Sequence, residues 1–169
     1  MKDSRFAVPS WLDVSRETLD RLQAFVEMTV AWNKSINLVA NADPDLLWSR
    51  HILDSAQIFD LLPGRTQSWA DLGSGGGFPG LVLAILATEK SPALSFTLVE
   101  SDKRKAVFLS EVSRRLDLKA IALPKRIESI PPLNADVVSA RALAPLSTLL
   151  DYGRRHMSAG GKLIFPKGA

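Results

Sequence analysis

Residues 69–80 read Trp-Ala-Asp-Leu-Gly-Ser-Gly-Gly-Gly-Phe-Pro-Gly, and this stretch decides the fold. A short apolar strand runs into Asp71, and an apolar run, 81–87, follows the glycines. Glycine lets the backbone adopt positive φ and approach a ligand closely, and Pro79 suits the first turn of a helix. Free N–H groups at the start of that helix can meet a polar or anionic group. The stretch therefore predicts a strand, a tight turn and a helix that bind a nucleotide-like cofactor.

Two cofactor classes fit these glycines. Residues 75–80 satisfy G-x-G-x-x-G, the pattern of dinucleotide-binding proteins. Residues 73–77 satisfy G-x-G-x-G, which is typical of S-adenosylmethionine sites when an acid such as Asp71 precedes it and can face the cationic methionine part. The next strand is followed by Glu100, and an acid at that place can accept hydrogen bonds from a ribose in either class. The residues therefore predict nucleoside binding and leave the class open.

The composition is that of one globular domain, or of one domain with a helical extension, in 169 residues. There are no cysteines, which excludes disulfides, thiolate metal sites and cysteine nucleophiles. The two histidines lie far apart in sequence, so we expect no metal. The first residues lack the apolar core of a signal peptide, and no stretch is long and apolar enough to span a membrane. We expect a cytoplasmic, monomeric protein with no membrane attachment.

The net charge of +3 is unevenly distributed along the chain. It is −3 over residues 1–99, +4 over 100–126, −2 over 127–138 and +4 over 139–169. The basic excess thus lies in the half that follows the glycine loop. Such asymmetry suits a polyanionic partner, although solvated helix faces explain charge alone equally well.

The N-terminal part, 1–64, reads as a helical extension. Ser15 can cap a helix over residues 16–32, whose apolar side chains recur at helical spacing. Asp43-Pro44 is typical of an N-cap followed by proline at the first helical position. It predicts a second helix that runs to about Leu62. We expect this extension to pack with the rest of the chain as one globular unit.

From residue 65 to residue 169, strands and helices alternate, which predicts a parallel sheet with helices on both faces. The predicted strands are Ser68–Leu72, Ser95–Val99, Ala120–Leu123, 136–139 and, after a turn at Gly160-Gly161, 162–165. The predicted helices are 80–88, 102–116 and 145–157, with Ser101 or Asp102 as the cap of the second. Ligands of such sheets bind outside the carboxyl ends of the strands, where Asp71, Glu100, Arg126, Glu128 and Arg141 all fall.

Several segments together resemble one family, the ribosomal small-subunit methyltransferase G family, also called glucose-inhibited division protein B. The glycine loop alone is specific only to a class, and its combination with the other segments is much more specific. The resemblance covers roughly residues 37 to 168. Besides the glycine loop, the segments that carry it are Asn37-Leu-Val39, Arg50-His-Ile-Leu-Asp-Ser55, Val99-Glu-Ser-Asp-Lys-Arg-Lys-Ala-Val-Phe-Leu109, Ser139-Ala-Arg-Ala-Leu143 and Phe165-Pro-Lys-Gly168.

The resemblance implies an enzyme with a Rossmann-like α/β sheet that transfers a methyl group from S-adenosylmethionine to N7 of a guanine in 16S ribosomal RNA. It decides the cofactor class in favour of S-adenosylmethionine. It places Gly73 and Phe78 in the cofactor loop, Ile127-Glu128 beside the adenine, and Arg141 near cofactor and substrate. With those from the fold argument, the candidate cofactor-binding residues are Asp71, Gly73, Gly75, Gly77, Phe78, Glu100, Ile127, Glu128 and Arg141.

The chemistry asks for positioning, because N7 carries a free lone pair in neutral guanine and no proton has to be removed. We therefore expect no catalytic triad, and Arg141 is the candidate that orients the substrate through guanine O6 or a phosphate. His51 and Asp54 lie three residues apart on one helix face, which predicts a hydrogen-bonded pair that clamps the extension to the sheet.

Basic residues after the glycine loop are candidates for phosphate contacts to 16S ribosomal RNA or the small ribosomal subunit. Two alternatives remain on the residues alone: a dinucleotide-dependent oxidoreductase, and a nucleotide- or RNA-binding protein without catalysis. The candidate RNA-binding residues are Lys103, Arg104, Lys105, Arg114, Arg115, Arg126 and Lys167.

The resemblance also bears on the end of the chain. Related proteins continue for some thirty residues beyond the Pro-Lys-Gly segment, with a helix and a terminal antiparallel strand pair. We expect these last elements to be missing here. A missing sheet edge would weaken the fold and the docking of RNA.

Overall fold

The computed structural model describes residues 4–141 and 143–166. In these ranges five strands form one parallel sheet in the order β3-β2-β1-β4-β5. The glycine loop follows the central strand, so that a ligand there lies at the middle of the carboxyl edge. The strands are β1 (Ser68–Leu72), β2 (Ser95–Val99), β3 (Ala120–Leu123), β4 (Ala135–Ala140) and β5 (Met157–Ile164).

Helices precede the sheet and connect its strands. The segment 44–61 is helical throughout but changes its winding: a π-helical turn, Leu47–Ile52, and a 3₁₀ turn, Ile58–Leu61, interrupt the α-helical geometry. A further 3₁₀ turn, Ile127–Ser129, lies between β3 and β4. The α-helices are α1 (Arg16–Asn33), α2 (Pro44–Leu46), α3 (Leu53–Gln57), α4 (Gly80–Lys90), α5 (Lys103–Arg115) and α6 (Leu146–His156).

Side-chain caps set the starts of three helices, as the sequence predicts. Ser15 accepts from the N–H of Thr18 at the start of α1. Asp43 caps α2, with Pro44 at the first position, and Asp102 caps α5. Each cap satisfies N–H groups that have no partner inside the helix. The cap of α5 is thus Asp102 rather than Ser101.

The N-terminal helices and the sheet share one hydrophobic core. Phe25 of α1 is fully buried, and its ring lies 5.1 Å from that of Phe78 and 6.4 Å from that of Phe108. Helix α4 lies between α1 and the sheet, and its residues 80–87 are all buried. A helix that is apolar on every side is buried on every side, which fixes α4 at the centre of this layer.

The opposite face of the sheet has its own smaller core. Ala70, Leu72 and Val138 pack there against Leu149 of α6 and Ile127. Side chains of successive strand residues point to opposite faces, so the buried strands β1 and β4 supply apolar residues to both cores. Helices therefore cover both faces, which confirms the predicted α/β class.

The C-terminal turn is the main correction to the predicted fold. The sequence predicts a turn at Gly160-Gly161 before the last strand, whereas β5 begins at Met157, directly after α6. Ala135 pairs with Met157 and Val137 with Lys162, so the register shifts between them. Gly160 has a φ of +76°, which a glycine adopts without strain. The two glycines therefore form an irregularity within β5. In the sequence, a glycine pair of this kind looks the same as one in a turn.

His156 ties α6 to the segment before β4. Its side chain is fully buried, and Nε2 lies 3.0 Å from the carbonyl oxygen of Ile127. Burial lowers the pKa of His156, against the opposing effect of that hydrogen bond. The native state therefore excludes a proton that the unfolded chain binds near its ordinary pKa of about 6.5.

We expect His156 to make the protein less stable in mild acid. The native pKa lies below the unfolded one, so this contribution is complete above about pH 6.5 and is lost as the pH falls. Urea unfolding at about pH 7 and pH 5 should show a smaller pH dependence in His156→Gln, which keeps a donor for Ile127, than in the parent chain. An identical dependence in both proteins would contradict this account.

Candidate functional site

The glycine loop folds back over the end of β2. The N–H groups of Gly73 and Ser74 donate to the carbonyl of Val99 at 2.8 and 3.1 Å, and Gly77 donates to Ser74 at 2.8 Å. Gly73, Gly75 and Gly77 have φ values of +67°, +53° and +93°. L side chains rarely adopt such values, so the turn depends on glycine at these three positions.

Asp71 lies beneath the loop and organises it. Its carboxylate is 1% exposed and accepts hydrogen bonds from the hydroxyls of Ser139 at 2.8 Å and Ser74 at 2.9 Å, and from the N–H of Gly80 at 3.2 Å. Burial raises the pKa of Asp71 to about 6, although all three donors oppose that rise. Asp71 therefore holds the loop, and its side chain does not line the cleft above it.

Glu100 braces the outer side of the same loop. Its carboxylate accepts from the N–H of Gly75 at 2.7 Å and from the N–H of Asp102 at 3.1 Å. The side chain thus joins the loop to the start of α5, at the end of β2 where the sequence places a ribose acceptor. Carboxylate oxygens have further lone pairs, so these bonds leave room for a ligand hydroxyl.

A cleft of about 500 Å³ opens between the glycine loop and the N-terminal helices. This volume lies within the range of small-molecule sites. A Cβ atom placed on Gly75 would meet only the carbonyl oxygen of Gly73, at 3.9 Å, so the loop is open on this side. The lining residues are Leu38, Val39, Ala40, Asn41, Leu46, Arg50, His51, Asp54, Gly73, Ser74, Gly75, Gly76, Phe78 and Arg141.

His51 forms part of the wall of the cleft and is kept neutral. Its ring packs on Phe78 with centroids 5.0 Å apart. Burial lowers the pKa of His51, and the positive charge of Arg141 lowers it further, whereas Asp54 raises it. Its Nδ1 atom is buried without a hydrogen-bond partner in the described part of the chain. The predicted His51–Asp54 clamp is therefore wrong: His51 packs against Phe78 in a tilted arrangement and no hydrogen bond joins His51 to Asp54.

The structure brings four of the predicted cofactor residues to this cleft, namely Gly73, Gly75, Phe78 and Arg141. Phe78 also belongs to the core, so it serves both roles. Gly77 is buried under the loop, where a Cβ atom would lie 2.5 Å from the side chain of Leu81.

Ile127 and Glu128 lie apart from the cleft. The Ile127 side chain is buried against the second face of the sheet. Glu128 is exposed and lies 3.9 Å from Arg126 in an ion pair. Their proposed contact with an adenine therefore concerns a different part of the carboxyl edge from the cleft beside Arg141.

Sequence reasoning missed the part of the wall that comes from the N-terminal segment. The backbone of residues 38–41 lies over the loop, held by Asn33, whose side-chain oxygen accepts from the N–H groups of Leu38 and Val39. Arg50 enters from the π-helical turn, a form of helix that is frequent at functional sites. The signal was present, because both segments carry the family resemblance, but spacing alone gave no reason to place them at the cofactor.

Five of the seven predicted RNA-binding residues lie on one helix. Lys103, Arg104, Lys105, Arg114 and Arg115 all belong to α5. All but the half-buried Lys105 are exposed. Arg126 is exposed after β3, and Lys167 lies outside the described residues. Within residues 4–141 and 143–166, no group of three acidic or histidine side chains is arranged to hold a metal. None of the helices described is long and apolar enough to cross a membrane.

Comparison with known proteins identifies a family. The family described as rRNA small subunit methyltransferase G matches residues 18–169. The protein named ribosomal RNA small subunit methyltransferase G from Ruegeria sp. (strain TM1040) is 53% identical over 158 residues, which are 94% of this chain and 77% of that one. The protein of the same name from Cereibacter sphaeroides (strain ATCC 17029 / ATH 2.4.9) is 50% identical over 162 residues, 96% of this chain and 79% of that one.

Solved structures show the same fold at low identity. A SAM-dependent methyltransferase from Aquifex aeolicus superposes with a TM-score of 0.51 and 20% identity, covering 69% of this chain and 63% of that one. The M. jannaschii protein TYW2, solved in complex with AdoMet, gives a TM-score of 0.54 and 16% identity, covering 66% of this chain and 50% of that one. These likenesses concern the fold of the methyltransferase sheet.

We expect the Asp71 carboxyl to titrate near pH 6. The native state then keeps a proton between about pH 4 and pH 6 that the unfolded chain releases, so stability rises as the pH falls through this window, by about 3 kcal/mol. This sign is opposite to that of His156. Carbon-13 NMR of the carboxyl groups measures the midpoint, and Asp71→Asn identifies the signal by removing it. A midpoint near pH 4 would refute the raised pKa.

Proposed function

The chain belongs to the rRNA small subunit methyltransferase G family, and we propose that it transfers the methyl group of S-adenosylmethionine to N7 of a guanine in 16S ribosomal RNA. The observation that carries the proposal is the cleft in which the open side of the glycine loop meets Arg141 and Arg50. Loop and cations together suit a nucleoside cofactor on one side and a nucleic acid on the other.

The part of the proposed site that binds the cofactor consists of the glycine loop and Glu100. Gly75 exposes backbone on the cleft side, where a Cβ atom would meet only the carbonyl oxygen of Gly73, whereas the side chain of Leu143 occupies the Cβ position of Gly73. Glu100 is held beside Gly75 and accepts the ribose hydroxyls in this proposal. Ile127 and Glu128 flank the adenine. Asp71 acts from below, by fixing the loop through Gly80 and Ser74.

The reaction asks the protein to hold two reactants in line and to exclude water. Bound S-adenosylmethionine supplies a methyl group on a positively charged sulfur. Neutral guanine carries a lone pair at N7, so no side chain has to remove a proton. His51, neutral and half-buried, and Phe78 give the cleft an apolar wall, which limits water beside the reacting atoms.

In this proposal Arg141 holds the RNA substrate and does not contact the methyl group that is transferred. It is half-buried at the end of β4, so its guanidinium is partly desolvated and binds anions or carbonyl oxygens more strongly. Guanine O6 and a phosphate are its acceptors, since N7 must stay free of hydrogen bonds to react. Arg50 on the opposite wall is exposed and suits a second phosphate.

The basic residues of α5, with Arg126 and Lys167, extend this surface for RNA. We place the enzyme in the cytoplasm, acting as a monomer on 16S ribosomal RNA or on the small ribosomal subunit. We also propose that the chain divides at residue 64 into a helical extension, 1–64, and a methyltransferase core, 65–169, on which the extension packs.

Methyl incorporation tests the function directly. Incubation of the protein with 16S ribosomal RNA and S-adenosylmethionine that carries a labelled methyl group should give labelled RNA. Digestion of this RNA and mass spectrometry should show 7-methylguanine. Naked RNA and small subunits, both from cells without this activity, decide which form is the substrate. Binding of NAD in place of S-adenosylmethionine would support an oxidoreductase, and RNA binding without incorporation would support a non-catalytic protein.

Replacing Gly75 by valine should abolish the binding of S-adenosylmethionine. A β-branched residue is strained at a φ of +53°, and its side chain would fill the open face of the loop. Calorimetry measures binding, and circular dichroism should show unchanged helix content. Gly64→Val is the matched control, because a Cβ atom there meets nothing within 4 Å. Unchanged affinity in Gly75→Val would remove the loop from the site.

Replacing Arg141 by alanine should lower the rate of methylation by about 100-fold, the cost of misplacing a reactant. The affinity for RNA should change little, since many other cations contribute to it. Arg141→Lys keeps the charge but loses the planar fork and should restore only part of the rate. Arg154→Ala, an exposed residue of α6 that does not line the cleft, is the control. Full activity of Arg141→Ala would show that the substrate lies elsewhere.

A further inference from the structure

A second hollow surface runs between the end of α1 and α5. Two adjoining hollows of about 510 and 530 Å³ share Trp32 and Val107 in their walls. We call this surface the α1–α5 groove and define it by Trp32, Ile36, Lys103, Arg104, Val107 and Arg114. It is separate from the cleft over the glycine loop, with which it shares no lining residue.

The floor of the groove is apolar and partly open to solvent. Trp32 is half-buried, with its ring 5.5 Å from that of Phe108, which fixes one side of the indole. Val107 is 57% exposed, although the next residues of α5, Phe108 and Leu109, are fully buried. An anchored aromatic ring beside an exposed aliphatic side chain offers a surface on which a planar group can stack.

The rim of the groove is basic. Lys103, Arg104 and Arg114 line it, and the side chains of both arginines are 72% exposed. Glu111 also lines the groove and accepts two hydrogen bonds from Arg114, at 2.8 and 3.1 Å. Arg104 lies 3.9 Å from the carboxylate of Asp102, so three cations with two carboxylates beside them leave a net positive charge at the edge of an apolar floor.

The groove and the cofactor cleft lie on the two sides of one short segment. Ser35 and Ile36 line the groove, whereas residues 38–41 line the cleft. The segment is anchored by Asn33, which accepts from Leu38 and Val39. A chain that leaves the cleft across this segment therefore enters the groove.

We propose that the α1–α5 groove binds single-stranded RNA adjacent to the methylated guanine, with one base on Trp32 and Val107 and phosphates on Lys103, Arg104 and Arg114. Stacking on an aromatic ring combined with phosphate contacts is the way in which proteins bind single strands without reading their sequence. The positive rim matches the phosphates, and the apolar floor matches an unstacked base. The proposal rests on the proposed function and adds the second contact surface of its substrate.

Matched charge variants test the phosphate contacts. Lys103→Gln/Arg114→Gln removes two cations from the groove, whereas Lys90→Gln/Arg154→Gln removes one exposed lysine of α4 and one exposed arginine of α6, neither of which lines it. The groove variant should bind single-stranded 16S fragments more weakly. Its slope of log affinity against log salt should be shallower by about 1.4, from two phosphate contacts. The control should keep both, and cofactor affinity should be unchanged in the two variants.

Replacement of Trp32 tests the stacking. Trp32→Leu should weaken the binding of these fragments by about tenfold, as the loss of one stacked base does. Trp32→Phe keeps a ring and should restore most of the affinity, which separates stacking from a general loss of packing against Phe108. Trp11→Leu is the control, because Trp11 is 44% exposed and does not line the groove. In methylation assays Trp32→Leu should raise KM and leave kcat unchanged.

Equal losses in the two double variants would show a diffuse charge effect and overturn the proposal, as would full RNA affinity in both. If methylation of small subunits falls while the affinity for RNA fragments is unchanged, the groove binds a protein and the proposal is wrong. Failure of the parent chain to methylate RNA would instead contradict the proposed function itself. The parent chain is therefore assayed for methylation together with every variant.

Discussion

The buried carboxylate of Asp71 is the constraint on which the site depends. It receives hydrogen bonds from the loop at Ser74, from the start of α4 at Gly80 and from β4 at Ser139. Ser139 in turn accepts from the indole nitrogen of Trp69 at 2.8 Å. One acid thus joins two strands, the loop and a helix, and such a buried network is costly to leave partly satisfied. Without it, the glycine loop would lose its hydrogen bonds to β4 and to the start of α4 through this carboxylate and would depend on its bonds to Val99 and Glu100 alone.

Helix α4 connects the glycine loop to the N-terminal helices. Its first residue is bonded to Asp71, and near its end Glu89 accepts from the hydroxyl of Thr18 and the N–H of Ser15. The start of α1 is thereby fixed to the end of α4, and the other end of α1 reaches the segment that walls the cleft. The helical extension is therefore part of the site as much as the sheet is.

Local signals made the sheet and most helix starts predictable. The glycine loop, the caps at Ser15 and Asp43 and the alternation after residue 65 each depend on neighbours in sequence. The bulge at Gly160 was missed because a glycine pair looks the same in a turn and in a strand. The surroundings of His51 were missed because they depend on Phe78 and Arg141, which are distant in sequence.

The position of Glu100 has a consequence for affinity. Bonds to Gly75 and Asp102 hold its carboxylate in place within the folded chain itself. Under the proposed function, a ribose then meets an acceptor that has already lost its rotamer freedom, so little side-chain entropy is given up on association. The remaining lone pairs of the same oxygens accept the ribose hydroxyls, so the hydrogen bond from the N–H of Gly75 is kept when the ligand binds. The Glu100 carboxylate therefore contributes both to the stability of the folded loop and to the affinity for the cofactor.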